Sequence, residues 1–376
     1  MKYGLIGEKL GHSYSCQVHR ALGNPDYVLK EIAPDALGDF LRARDFAGLN
    51  VTIPYKQAVI PYVDALTDTA REVGAVNTLY FDASGALWGD NTDVYGFCTM
   101  LEGIDVRGKK ALVLGSGGTS HTACYALRAL GAGDCIVVSR RGAVNYENVY
   151  SLHADAEVIV NATPVGMFPN NGARPIDIRR FPRLCAVADV IYNPARTALL
   201  QDADALGIPR AGGLSMLVAQ AARSVERFSG RALGEEAWRG ALRQVAASLR
   251  GVALVGMPGC GKSTIAQAVA QELGRACVDL DAEIEREAGK SIPEIFAQDG
   301  EEAFRAAETR AARQFSRENA VLATGGGCVL RAENAQALRA NSLVVWLKRA
   351  IDQLPREGRP LSVGNLYEME QKRAPY

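Results

Sequence analysis

The chain has 376 residues, of which 48% are hydrophobic and 22% are charged, and its 42 Lys and Arg residues balance 42 Asp and Glu residues. Because single cores stop growing beyond roughly 250–300 residues, this length predicts two or three compact units. Proteins that bind nucleic acid or anionic membranes usually carry an excess of basic residues, and this chain has none. We therefore expect small molecules as ligands.

Eight cysteines are scattered along the chain without a Cys-x-x-Cys pair, and the four histidines are dispersed. This usage is typical of reduced thiols rather than of disulfides or zinc sites. Polar residues follow within the first ten positions, and no apolar run in the sequence approaches the roughly 20 residues of a membrane span. We therefore expect a cytoplasmic protein without a membrane partner; its oligomeric state is left open.

Short apolar runs alternate with helical stretches through residues 1–100. Strands are predicted at Tyr3–Ile6, Tyr27–Ile32 and Leu49–Ile53, and a hairpin is predicted from Val76–Phe81, Ala86–Trp88 and the turn at 82–85. Between residues 108 and 211 the strand pattern recurs at Ala111–Leu114, Cys135–Ser139, Val158–Asn161 and Ala186–Val190. A helical stretch, Thr122–Leu130, separates the first two of these, as expected of a doubly wound parallel sheet.

A glycine-rich loop follows the strand at 111–114 and opens a helix. Backbone N–H groups at a helix start can face a pyrophosphate, which predicts a dinucleotide site at Gly115, Gly117, Gly118, Thr119 and Ser120. An NAD site would carry Asp or Glu at the end of the next strand. The chain has Ser139, Arg140 and Arg141 there. We therefore predict NADP(H) as cofactor, with a solvated basic turn as the alternative.

Two amphipathic helices are predicted at 214–228 and 235–249, and the pattern of alternating strands and helices then resumes at Val252. Helices are predicted near Ser263–Leu273, Asp281–Ala288 and Glu301–Phe315, and strands near Ala320–Ala323 and Leu343–Leu347. Residues 256–264 form a complete P-loop, whose nucleotide-binding residues are Gly259, Cys260, Gly261, Lys262, Ser263 and Thr264. Lys262 would neutralise phosphate charge and Ser263 would offer its hydroxyl to Mg²⁺, so MgATP is the expected ligand.

Motifs at 11–15, 50–56, 74–78, 89–93, 192–194 and 212–220 occur in the order and spacing of shikimate dehydrogenases. Over roughly residues 1–249 the chain resembles that family, which implies NADPH-dependent reduction of 3-dehydroshikimate. A lysine near a carboxylate can protonate a developing alkoxide, and the matching pair is Lys56 and Asp93.

The resemblance also assigns binding residues. The substrate would contact Ser13, Ser15, Thr52, Asn77, Asp93, Tyr192 and Gln220. Gly213 and Met216 would lie near the nicotinamide, although a methionine at this spacing is equally suited to a core. The chain departs from the family at Cys16, where proline is usual, and at Val94, where glycine is usual. Both adjoin substrate residues and are placed to alter affinity.

Residues 250–376 resemble shikimate kinases through motifs at 279–281, 304–308, 325–327, 359–361 and 373–376. The resemblance implies that Asp279 assists Mg²⁺ with Ser263, and that Asp281 orients the attacking hydroxyl. Arg305, Arg373, Gly325, Gly326 and Gly327 would bind shikimate, and Arg359 would reach the transferred phosphate. As an alternative, Arg305 serves a charged helix face with Glu301, Glu302 and Glu308.

The implied architecture is α/β throughout. A substrate domain (1–100 and 213–249) and a Rossmann NADP domain (101–212) precede a P-loop domain of the nucleoside monophosphate kinase type (250–376). The segment 348–359 is short for the family's lid, and related kinases continue beyond Tyr376, so we expect an incomplete kinase domain with weak or absent ATP turnover. The leading hypothesis is a bifunctional enzyme that makes and then phosphorylates shikimate. The alternatives are a dehydrogenase with an inactive or scaffolding kinase-like domain, and a non-enzymatic sensor of shikimate or quinate.

Overall fold

The computed structural model describes residues 2–11, 13–350, 352, 354, 368 and 371. The chain divides into two compact units. The first comprises 1–167, 173–192 and 202–247, and the second comprises 168–172, 193–201 and 248–376. Within the described ranges, none of the helices combines the length and apolar composition of a membrane span.

The first hundred residues build a mixed six-stranded sheet. Its strands are β1 (Tyr3–Gly7), β2 (Tyr27–Glu31), β3 (Gly48–Val51), β4 (Ala65–Leu66), β5 (Thr78–Phe81) and β6 (Leu87–Asp90). The strand order is β2-β1-β3-β5-β6-β4. β1 lies parallel to β2 and β3, whereas β5 lies antiparallel to β3 and β6, which confirms the predicted hairpin.

The helices of this region are α1 (Ser15–Ala21), α2 (Leu37–Ala43), α3 (Asp68–Val73) and α4 (Thr92–Met100). The predicted strand Leu49–Ile53 is too long at its C-terminal end, because β3 stops at Val51 and the chain turns from Thr52 towards Lys56. Pro54 has no N–H group to donate to a neighbouring strand, so the ladder cannot continue through it.

A parallel sheet of five strands follows, of which the sequence predicts the first four. It consists of β7 (Ala111–Leu114), β8 (Cys135–Val138), β9 (Val158–Asn161), β10 (Ala186–Asp189) and β11 (Arg210–Gly212), in the order β11-β10-β9-β7-β8. The connecting helices are α5 (Gly118–Ala129), α6 (Val149–Leu152) and α7 (Ala198–Ala205). β7, β9 and β10 are fully buried, as expected of strands covered on both faces.

Two long helices, α8 (Gly213–Ser229) and α9 (Glu235–Leu249), complete the first unit. α8 packs closely on α4: a Cβ atom added to Gly96 would lie 2.6 Å from the carbonyl oxygen of Met216. Beneath this contact the buried Ser224 hydroxyl lies 2.8 Å from Asn50 Nδ2, 2.9 Å from the Thr78 hydroxyl and 3.1 Å from the Thr92 hydroxyl. The network ties α8 to the sheet and to the start of α4.

The second unit is built on a parallel sheet of β12 (Gly251–Gly256), β13 (Cys277–Asp279), β14 (Val321–Ala323) and β15 (Ser342–Leu347), in the order β13-β14-β12-β15. Its helices are α10 (Lys262–Leu273), α11 (Leu280–Ala288), α12 (Ile292–Gln298), α13 (Glu301–Phe315) and α14 (Ala332–Asn341). α12 was not predicted, although its capping box of Ser291 and Glu294 is a recognisable start signal.

Gly96 and Gly240 provide a matched pair of helical glycines. We expect Gly96→Ala to destabilise the first unit by about 1–3 kcal/mol, because the methyl group would overpack the α4–α8 contact. Gly240, in α9, has only the Arg243 side chain at 4.0 Å from an added Cβ. Gly240→Ala should therefore stabilise by up to about 1 kcal/mol through helix propensity. Chemical denaturation of both variants measures the difference, and equal shifts would contradict a tight contact at Gly96.

Candidate functional site

Lys56 and Asp93 meet at the carboxyl end of β3. The Lys56 Nζ atom lies 2.5 Å from Asp93 Oδ2, and the two side chains are 23% and 15% exposed. The backbone of Lys56 is fixed by a hydrogen bond of 2.8 Å, which its carbonyl accepts from the Val76 N–H. Asp93 lies in the first turn of α4, where the helix dipole stabilises a negative charge. The pair is fixed, partly desolvated and still reachable by a ligand.

Asn77 and Gln220 are joined through Thr92. Asn77 Oδ1 accepts hydrogen bonds from the Thr92 N–H at 2.7 Å and the Thr92 hydroxyl at 3.2 Å. The same hydroxyl lies 3.5 Å from Gln220 Oε1. Two residues predicted to bind substrate therefore contact Thr92, the first residue of α4, which precedes Asp93.

Ser13, Ser15 and Tyr192 form a second group. The Ser13 hydroxyl donates to the Ser15 hydroxyl at 2.9 Å, and the rings of Tyr14 and Tyr192 lie 5.4 Å apart. Burial raises the pKa of both tyrosines, so their hydroxyl groups stay neutral. Thr52, at the end of β3, donates its N–H to the Ile6 carbonyl at 2.9 Å.

Met216 is 8% exposed and belongs to the apolar core shared by α4 and α5. This position favours the core alternative for Met216. Val94 is buried in the same cluster, whereas Cys16 is half-buried beside Leu5, Leu10 and Tyr27.

The first glycine-rich loop links β7 to α5. Gly115 has a φ of 109°, and an added Cβ would lie 3.1 Å from the Ala162 carbonyl, so both conformation and space require glycine. An added Cβ at Gly117 or Gly118 meets open space, which leaves the start of α5 approachable. The Ser120 hydroxyl is buried, and no described residue hydrogen-bonds with it.

The turn after β8 presents two cations. Arg140 and Arg141 are exposed, and within the described part of the chain neither forms an ion pair. Ser139 fixes the turn by donating its N–H to the Val144 carbonyl at 3.1 Å. Two accessible guanidinium groups at this position fit a ribose 2′-phosphate, and an acidic residue that would repel it is missing from 139–141.

The polar turn after β9 was not predicted from the sequence. Asn161 Nδ2 donates to Asp189 Oδ1 at 3.1 Å, and Asn161 Oδ1 accepts from the Thr163 N–H at 3.0 Å. This turn contacts Gly115 at the point where the strand order reverses between β7 and β9. Ligands of doubly wound sheets bind at such switch points. The signal was the Asn-Ala-Thr-Pro run directly after an apolar strand.

In the second unit the P-loop joins β12 to α10. The Lys262 Nζ atom donates to the carbonyls of Gly256 and Met257 at 3.0 Å each. The Ser263 hydroxyl donates to Asp279 Oδ2 at 2.6 Å, while Asp279 Oδ1 caps α11 by accepting from the Asp281 N–H at 3.1 Å. Hydroxyl and carboxylate oxygens at adjacent positions are the hard ligands that suit Mg²⁺.

The three glycines after β14 line a charged depression. An added Cβ at Gly325 would lie 2.7 Å from Asp281 Oδ1 and 2.8 Å from Glu308 Oε1, and one at Gly327 would lie 2.7 Å from Arg305 Nη1. Gly326 similarly approaches Pro258 of the P-loop, with 2.6 Å to Cγ. The structure therefore brings together Asp281, Arg305 and the three glycines, as predicted from the family resemblance.

The charged groups in this depression are buried and close together. Burial, followed by the charges of Asp279 and Glu308, raises the pKa of Asp281 to about 6. Arg305 is paired with Glu308 at 3.0 Å and with Glu301 at 3.2 Å. These ion pairs match the helix-face alternative in part, but Arg305 is buried and Glu302 pairs with Arg331 instead. Glu308, which belongs to the motif at 304–308 but was predicted only to join that charged face, contacts Arg305 and lies beside Gly325. Arg359 and Arg373 lie outside the described residues.

Comparison with known proteins identifies both parts of the chain. Residues 5–79 match the family model of the shikimate dehydrogenase substrate binding domain, and residues 258–372 match that of shikimate kinase. A shikimate dehydrogenase (NADP(+)) of Oleidesulfovibrio alaskensis is 40% identical over 255 residues, which cover 61% of this chain and 90% of that protein.

Solved structures of shikimate dehydrogenases are also similar to this chain. A chorismate mutase/shikimate 5-dehydrogenase fusion protein from Clostridium acetobutylicum is 34% identical, with a TM-score of 0.60 over 65% of this chain and 96% of that one. Shikimate 5-dehydrogenase from Thermus thermophilus, in complex with NADP(H) and shikimate, is 30% identical, with a TM-score of 0.57 over 65% and 99%. The chain therefore belongs to the shikimate dehydrogenase family, and its residues 258–372 match the shikimate kinase family.

Proposed function

We propose that this chain is a bifunctional enzyme. The first unit reduces 3-dehydroshikimate to shikimate with NADPH, and the second phosphorylates shikimate with MgATP. The observation that carries the proposal is the 2.5 Å ion pair between Lys56 and Asp93 in a partly buried position. An ammonium held in this way is suited to protonating an oxygen, and the product of the first reaction is the substrate of the second.

In the reduction, bound NADPH supplies the hydride to the carbonyl carbon. The Lys56 ammonium donates a proton to the carbonyl oxygen as negative charge develops on it, which yields the alcohol. Asp93 keeps the ammonium oriented before transfer. Ser13 and Ser15 offer hydroxyl donors for the substrate carboxylate, and Arg140 with Arg141 select the phosphorylated cofactor.

In the phosphorylation, MgATP supplies the phosphoryl group, and Ser263 and Asp279 are the residues suited to hold the metal. The Asp281 carboxylate accepts the proton of the attacking shikimate hydroxyl. Its raised pKa makes it a stronger base than an ordinary aspartate. Arg305 pairs with the substrate carboxylate, and Lys262 neutralises the phosphate charge. Because Gly325, Gly326 and Gly327 have no side chains, the ring can approach the backbone.

Lys56→Ala should lower the turnover of dehydroshikimate by about 10²–10⁴-fold, because a positioned general acid contributes that much, while NADPH binding stays nearly unchanged. Steady-state rates and cofactor fluorescence titration measure the two effects. Lys110→Ala is the matched control: Lys110 is 20% exposed and pairs with Asp155 at 2.8 Å, but it lies outside the site. Unchanged turnover in Lys56→Ala would remove the lysine from catalysis.

Arg140→Ala should reduce the preference for NADPH over NADH by about tenfold or more, because a charge-assisted hydrogen bond to the 2′-phosphate is lost. The ratio of kcat/KM values for the two cofactors measures this preference. Arg107→Ala serves as control, since Arg107 is 80% exposed and pairs with Asp105. An unaltered ratio in Arg140→Ala would mean that the 2′-phosphate binds elsewhere.

Identification of the products distinguishes the proposed reductase activity from the proposed kinase activity. With dehydroshikimate, NADPH and MgATP, we expect mass spectrometry to detect shikimate 3-phosphate, since end-point detection registers even slow phosphoryl transfer. Lys262→Ala should still oxidise NADPH but accumulate shikimate. Shikimate without phosphorylated product in the unaltered chain would reduce the second unit to a scaffold, and no NADPH oxidation would favour a sensor.

A further inference from the structure

Two thiol groups meet between a helix and a strand of the first unit. Cys124 lies in the middle of α5, and Cys135 is the first residue of β8. Both side chains pack in the apolar cluster that joins α4, α5 and β7, and they are hydrogen-bonded to each other. All eight cysteines are free, and the contacts of the described residues contain no second hydrogen bond between thiols. The two cysteines therefore form a single close pair.

Cys135 connects this pair to solvent. The strand order β11-β10-β9-β7-β8 places β8 at the edge of the five-stranded sheet, with β7 as its neighbour. Cys135 is half-buried on this edge strand, whereas Cys124 is 6% exposed. A small oxidant can thus approach from the side of Cys135, while packing holds Cys124 against it.

The hydrogen bond also prepares one sulfur for reaction. A thiolate, rather than a thiol, attacks an oxidant. The Cys135 thiol stabilises the Cys124 thiolate, and this hydrogen bond, with the positive charge of Arg128 one turn further along α5, lowers the pKa of Cys124 to about 7 despite its burial. The pKa of Cys135 is raised, because its proton is held by the neighbouring sulfur. Near neutral pH the pair therefore contains a thiolate and a thiol in contact.

Cys98 shows that a place in the same cluster does not by itself create such a pair. It lies in α4 and packs against the same apolar residues. No thiol is among its described contacts, and burial raises its pKa. Cys98 thus provides a reference cysteine in the same surroundings without a partner thiol.

We propose that Cys124 and Cys135 are an oxidation site that closes to an intramolecular disulfide when the chain meets a peroxide. A bond forms between the two sulfur atoms, and the pair gives up two electrons and two protons. The O–O bond of hydrogen peroxide breaks, and its oxygen atoms take up these electrons and protons to leave as two water molecules. The S–S bond of about 2.05 Å is shorter than a hydrogen-bonded contact, so the side chains must turn towards each other. A thiol reductant reverses the reaction by exchange.

Peptide mapping of the full chain tests the proposal. Trypsin cleaves after Arg128, so Cys124 falls in the peptide 111–128 and Cys135 falls in the peptide 129–140. The reduced chain is treated with hydrogen peroxide, the remaining thiols are blocked with iodoacetamide, and the digest is analysed by mass spectrometry. We expect the two peptides to be joined, with a mass two hydrogens below their sum, and to be released by dithiothreitol.

Cys135→Ala should abolish the joined species, because the second sulfur is lost. Cys98→Ala is the matched control and should keep the joined species at the level of the unaltered chain. Circular dichroism checks that both variants fold, and non-reducing electrophoresis shows whether the joined peptides come from one chain. Three results would overturn the proposal: recovery of both peptides unlinked, a dominant disulfide that contains Cys98, or a link formed only between two chains.

Discussion

The contact between α4 and α8 is the constraint on which the proposed reductase site depends. Gly96 lets the backbone of α8 approach α4, and the buried Ser224 hydroxyl connects α8 to strands β3 and β5. The first turn of α4 carries Asp93, and α8 carries Gln220. A helix from the far end of the first unit thereby fixes the start of α4, which in turn fixes the carboxylate that holds Lys56.

In the second unit the charged residues form a cluster rather than a single ion pair. Its predicted site relies on a buried cluster of Asp281, Glu308 and Arg305, packed against glycines that leave no room for side chains. Burial, and then the repulsion between carboxylates, raises the pKa of Asp281, so the features that cost stability suit the proposed role of this residue as a base. The first unit pairs its charges in a partly exposed position, whereas the second places Glu308 and Arg305 in a buried one.

Local patterns in the sequence were enough to predict most strands, both glycine-rich loops and the hairpin, because apolar periodicity and glycine turns act over a few residues. The end of β3 was misjudged because its apolar pattern continues past Val51 into a turn. Contacts distant in sequence were beyond such reasoning. Local propensity around Glu308 does not show that it faces Gly325, and the turn after β9 becomes informative only when the strand order is known. Secondary-structure propensity depends on residues adjacent in the sequence, whereas both candidate sites are formed by residues that are distant in the sequence and close in the fold.

In the proposed reductase, the exposed turn with Arg140 and Arg141 would make cofactor binding depend on ionic strength. Attraction between exposed charges fades within about 8–10 Å at physiological ionic strength, whereas a partly buried pair such as Lys56 and Asp93 is screened much less. Added salt would therefore weaken the capture of a phosphorylated cofactor well before it disturbs proton transfer. In the proposed function, cofactor recognition is therefore sensitive to salt and proton transfer is not.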